Sequence, residues 1–161
     1  MNKTPSIAVL KKELSYRSEQ EIIDFCVTLI KFNRENKELL NYLLIDEVEK
    51  EVFLNEIKIT ISANFLDINF RSYHILRKSV RKILKLTKKY IKLINEPIKE
   101  LTLLIHFNQE LISCLPKLKN YPSIENYFIS NIKKMESIVA KLHPDLHYDY
   151  INDINELKIK L

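Results

Sequence analysis

The sequence predicts an all-α protein, a single-domain bundle or short array of about seven helices spanning residues 1–161. Three observations carry that expectation. Glycine is absent from all 161 residues, whereas average usage would give about eleven. The apolar residues recur at helical spacing along most of the chain. Ser, Asp and Asn precede these apolar runs where helix N-caps belong.

The absence of Gly also excludes chemistry. No phosphate-cradling GxxxxGK[ST] loop, GxGxxG dinucleotide turn or GxSxG nucleophile elbow can be written in this alphabet. Type I′ and II′ hairpin turns lack their preferred residue. With 46% hydrophobic and 29% charged residues, the composition is that of a globular chain and not of a disordered tail.

Thr4-Pro5 reads as an N-cap followed by Pro at the first helical position, opening a short helix through Leu14. Ser18-Glu19-Gln20-Glu21 matches a capping box and opens a helix striped by Ile22, Ile23, Cys26, Val27, Leu29 and Ile30. A polar break from Asn33 to Lys37 leads into Glu38–Leu44. Asp46 to Glu49 is a second cap signature, followed by Val48, Val52, Phe53, Ile57 and Ile61. The β-branched ITISANF stretch at its end leaves a short strand open. Asn69 can cap the next helix, which closes at Asn95. Glu96-Pro97 restarts the chain, because Pro is tolerated only in a first turn, and that helix runs to about Leu115. After a loop from Pro116 to Pro122, Ser123 caps a helix through Leu142. His143-Pro144-Asp145 breaks the pattern, and a last helix carries Leu146, Tyr150, Ile154 and Leu157.

The most distinctive element is Arg71 to Ile94, RSYHILRKSVRKILKLTKKYIKLI. It holds Arg71, Arg77, Lys78, Arg81, Lys82, Lys85, Lys88, Lys89 and Lys92 and no acid. At 100° per residue these nine cations fall within one arc of roughly 140°, and apolar side chains fill most of the remainder. Against a formal net charge of +5, this segment's +9 leaves the rest of the chain at −4. The positive charge of the protein is therefore a property of one helix. From Arg77 to Lys92 the face extends about 23 Å, enough to reach phosphates on both sides of a groove. No Asn or Gln lies in the segment, so contact with nucleic acid would be with the backbone and not with bases.

Three readings of this face stand side by side. It is a binding surface for an acidic protein partner, a non-specific nucleic-acid surface, or a solvated face with no partner. A fourth is intramolecular, with Asp46, Glu47, Glu49, Glu51 and Glu56 lying opposite the basic helix in weak surface pairs. The leading expectation is a non-enzymatic binding or scaffold protein that presents residues 71–92 to an acidic partner.

The chain also resembles a small bacterial all-helical family, domain of unknown function 6155. The likeness rests on LKKELSYRSEQEIIDFCVTLIKFNRENKELLNYLL, on IKELTLLIHFNQELISC with YPSIENYFISNIKKMESIV, and on HYDYINDINEL. The family more often has Gly before the aromatic-Asp segment, and this chain does not. The resemblance implies an all-helical fold and supplies no site residues.

Other chemistry is weakly signalled. Asp145, His147 and Asp149 are candidate metal ligands for a metal-dependent hydrolase, with His143 beside them. In a helix, however, Asp145, Asp149 and Asp153 form a polar flank at i, i+4, i+8, and His143 can serve as a cap. His106 and Glu110 sit at i, i+4 on an apolar helix, where a satisfied core histidine is the plainer reading. No HExxH occurs, and no His follows an acid by three residues. Cys26 and Cys114, the only cysteines, fall in apolar patterns and read as buried reduced thiols. No catalytic residues and no cofactor are expected. The chain lacks a signal-peptide h-region and a run long enough to span a membrane, so a cytoplasmic location is expected, with the oligomeric state open.

Overall fold

A computed structural model describes residues 4–160 and is all-α, with eight α-helices, two short 3-10 turns and no strand among the described residues. The chain divides into two compact units, Met1–Ile45 and Asp46–Leu161, a division that no shift in composition announces.

The first unit holds α1 (Ile7–Leu14), α2 (Glu19–Phe32) and α3 (Arg34–Leu44). Ser6, not Thr4, caps α1, its Oγ accepting from Val9 N at 3.4 Å. The Ser18–Glu21 capping box forms as read: Glu21 N donates to Ser18 Oγ at 3.3 Å and Ser18 N to Glu21 Oε2 at 2.8 Å. Asn33 ends α2 in extended backbone and caps α3, its Oδ1 accepting from Glu35 N at 2.9 Å. Asn36 Nδ2 then donates to Leu29 O at 2.9 Å, fastening α3 against α2.

The second unit is built from α4 (Glu47–Leu66), α5 (Tyr73–Ile94), α6 (Pro97–Cys114), α7 (Pro122–Val139) and α8 (His147–Ile159). Here α6 is central and packs against each of the other four. Its sequence explains the position: Leu101, Leu103, Leu104, Ile105, Phe107 and Leu111 are buried on nearly all sides, as a helix apolar around its circumference requires. Around it lie Ile61 and Phe65 of α4, Val80 and Ile83 of α5, Phe128 and Met135 of α7, and Ile154 and Leu157 of α8. Phe65 meets Phe107 edge-on, with ring centroids 5.2 Å apart. The β-branched ITISANF stretch is helical, as part of α4. Burial of Ile57, Ile61 and Phe65 against the bundle outweighs the local β-propensity.

The buried Asn and Thr side chains in this core are hydrogen-bonded, and Asn108 Nδ2 donates to Phe128 O at 3.4 Å. Asn131 Nδ2 donates to Asn108 Oδ1 at 3.0 Å, joining α7 to α6, and Thr87 Oγ1 donates to Ile83 O within α5 at 3.0 Å. Lys99 is also buried, at the start of α6. Its Nζ lacks a well-directed hydrogen bond, yet it lies 3.2 Å from Glu96, 3.6 Å from Glu51 and 3.8 Å from Glu47. The contact is a Coulombic one, three partly solvated carboxylates around one ammonium, and it ties the start of α4 to the start of α6.

Candidate functional site

Helix α5 is fixed at both ends by its own sequence. Ser72 caps it, Oγ accepting from Ile75 N at 3.3 Å, while Asn69 instead closes the preceding turn by accepting from Arg71 N at 2.9 Å. The expected Asn69 cap is thus displaced by three residues, and Arg71 lies before the helix and not on it. Tyr73 stacks on Tyr121, with centroids 6.0 Å apart, and its hydroxyl accepts from Ser123 N at 3.2 Å. That bond occupies the Ser123 N–H, and α7 starts at Pro122 with no side-chain cap, in place of the expected Ser123 cap. At the other end Asn95 adopts φ 53, ψ 36, the left-handed conformation that ends a helix. In a chain without Gly, Asn is the residue that enters this region at least cost.

The buried side of α5 consists of Leu76, Val80, Ile83, Leu84, Thr87, Leu93 and Ile94. On the opposite side Arg77, Lys78, Arg81, Lys82, Lys85, Lys88 and Lys92 are exposed, as is Arg71 ahead of the helix. None of these eight forms an ion pair with a described residue. Lys89 is half-buried and is engaged within the fold. It is the one member of the sequence-predicted set that the fold draws inward.

The acids of α4 do not neutralise this face, and the intramolecular reading is corrected. Asp46 and Glu49 form a capping box, with Glu49 N donating to Asp46 Oδ1 at 2.9 Å. Glu47 reaches Lys50 at 2.7 Å and Lys99 at 3.8 Å, and Glu51 reaches Lys99. The Glu47 contact holds the Lys50 ammonium above the usual lysine range. The Lys99 contacts lie at the α4–α6 junction, the others stay within the start of α4, and Glu56 forms no ion pair among the described residues.

Two clefts mark the basic face. One of about 320 Å³ is lined by His74, Arg77, Lys78 and Arg81, adding an imidazole that sits at the centre of the cationic arc by helical phase. The other, of about 300 Å³, lies where Lys88 and Lys92 approach Glu100 of α6 and Ser130, Asn131 and Lys134 of α7. Lys134 pairs with Glu100 at 3.6 Å and carries the positive surface onto α7. Neither His74 nor Lys134 was singled out by charge counting: His is formally neutral, and Lys134 joins the face only through tertiary packing.

The weaker candidates resolve into structural roles. Ser62 Oγ donates to Glu110 Oε1 at 2.7 Å, and His106 Nε2 lies 2.9 Å from Ser62 Oγ and 3.1 Å from Lys58 O. A carbonyl oxygen only accepts, so Nε2 bears the proton in this contact and cannot take one from Ser62. The arrangement lacks the ring nitrogen that a nucleophilic serine needs as base, and it fastens α4 to α6. At the other end of the chain, Asp145 lies in the 3-10 turn Pro144–Leu146, and the expected i, i+4, i+8 stripe starts only with α8 at His147. His143 Nδ1 caps that turn by accepting from Asp145 N at 3.4 Å, and His147 Nε2 contacts Leu142 O at 2.9 Å. Asp145, His147 and Asp149 do not converge, and no group of three or more such side chains is placed to hold a metal among the described residues. Cys26 and Cys114 are half-buried and unpaired. Burial, and then the Glu110 charge, push the Cys114 thiol up, away from a reactive thiolate.

Comparison of the chain with protein-family models, with curated proteins and with solved structures finds no match. No described helix is long and apolar enough to cross a membrane.

Proposed function

We propose that the protein is a non-enzymatic binding or scaffold protein that docks an acidic partner on the exposed face of α5. One observation carries the reading: eight cations from Arg71 to Lys92 face solvent with no counter-ion among the described residues. Like charges held along one helix repel each other, and each neighbour at i, i+4 costs a few tenths of a kcal/mol. An acidic protein surface relieves that repulsion along the whole ridge.

A second reading, a nucleic-acid backbone, is favoured by the N-terminal end of the ridge. There Phe70 and Tyr73 are exposed beside Arg71, Arg77 and Arg81, and exposed rings among arginines suit unpaired bases. Titrating the protein with a polyglutamate peptide, duplex DNA and single-stranded DNA at two salt concentrations separates the two. Neutralising six phosphates of a duplex gives a log–log salt slope of about −5. The leading reading expects measurable polyglutamate binding and a shallow DNA response. Steep, tight DNA binding with none to the peptide transfers the proposal to nucleic acid, and no binding to any probe removes both.

A further inference from the structure

The N-terminal unit carries more apolar surface than it covers, and we propose that α2 and α3 form a dimer interface with a second copy of the chain. Among the described residues of Met1–Ile45 only Tyr42 is buried, while thirteen large apolar side chains are exposed. A unit of this size ordinarily needs a disulfide, a metal or oligomerisation to persist. By helical phase the apolar arc of α2, from Phe32 through Ile22 to Val27, covers roughly 220°, wider than one neighbouring helix can cover. The eight large apolar side chains exposed on α2 and α3, at roughly 100 Å² each, offer about the 800 Å² that one partner contributes to an ordinary stable interface.

The shape of the patch points to a second copy as the occupant. Between α2 and α3 runs a groove of about 230 Å³ lined by Cys26, Leu29, Leu39, Leu40 and Leu43 with Asn36 at its edge. The same unit presents Phe32 at 87% and Phe25 at 43% exposure, rings of a size that such a groove accepts. A surface bearing both knob and hole is self-complementary about a two-fold axis. Charge agrees in sign: at the start of α2 Glu19, Glu21 and Asp24 outnumber Arg17, which pairs with Glu21 at 3.6 Å, and around its end Lys31, Arg34 and Lys37 outnumber Glu35 and Glu38. Antiparallel apposition of two α2 helices sets the acidic start of each against the basic end of the other.

Sedimentation equilibrium of the full chain tests this. The expected result is twice the chain mass, with Phe32→Lys and Leu29→Glu each weakening the dimer at least tenfold. Phe32 supports no packing within one copy, so its variant keeps the far-ultraviolet dichroism of the parent. Leu66→Lys, equally exposed at 85% in the other unit, leaves the mass unchanged. A monomer at every concentration overturns the proposal. So does a dimer that neither α2 substitution weakens, or one that Leu66→Lys dissociates.

Discussion

At the residue scale, asparagine does the work that glycine does elsewhere. Asn95 is the one described non-Gly residue with positive φ, and it permits α5 and α6 to follow each other with only two intervening residues, Asn95 and Glu96. Replacing Asn95 by Ala is expected to destabilise the fold by about 1 kcal/mol, because Ala carries the full left-handed penalty. Asn95→Gly should be neutral or mildly stabilising. Urea denaturation of the two variants checks this, and equal damage from both would show that the Asn side chain, not the backbone conformation, matters. Inside the core, Asn131→Ala removes the donor to Asn108 and strands a buried amide oxygen. The expected cost is about 1–3 kcal/mol, read by the same measurement.

The Ser18 backbone N–H, then the Ser18 hydroxyl and the Arg17 charge, hold the Glu21 carboxyl below its ordinary value of 4.5. A depressed carboxyl pKa contributes stability that is present above the ordinary value and fades as pH falls through the lowered one. Acidification below about pH 4 should therefore loosen the start of α2 while α4 to α8 stay protected, as amide exchange resolved by residue would show. Early loss at α6 would contradict that order.

At the element scale, helices were legible in the sequence because their determinants are local. The apolar period, the missing glycines, the Ser18 and Asp46 capping boxes and the Asn95 stop all act within a few residues. The errors fall where several candidate caps compete. Asn69 loses to Ser72 because its side chain is engaged in the turn before Arg71. Ser123 loses because helical backbone starts one residue earlier, at Pro122, which places Ser123 inside the first turn and Tyr121 at the cap position. The basic face was legible for the same local reason. What faces the α4 acids was not, since Lys99 meets Glu47 and Glu51 only through packing. Those carboxylates are largely solvated, so Lys99→Met should change stability by no more than about 1 kcal/mol. Thermal melting checks it. A collapse of the fold would show that Lys99 holds α4 to α6 in a way that packing cannot replace.

At the scale of the whole molecule, the two units differ in what they expose. The five-helix unit buries its apolar residues around α6 and leaves a cationic ridge along α5. The N-terminal unit leaves its apolar residues outward. Legibility stops at this scale. Helical phase identifies which residues share a face, but not that the cations stay unpaired or that Lys134 extends them. Those facts depend on which helices meet.

The α5 ridge is proposed as a docking surface, and charge reversal tests that role most directly. Lys82, Lys85 and Lys88 are exposed and form no ion pair among the described residues, so changing all three to Glu should leave the melting curve nearly unchanged. Affinity for a polyglutamate peptide, measured by fluorescence anisotropy, is predicted to fall at least a hundredfold, about 1 kcal/mol or more for each reversed charge. Equal affinity in the parent and the folded triple variant would contradict the proposal.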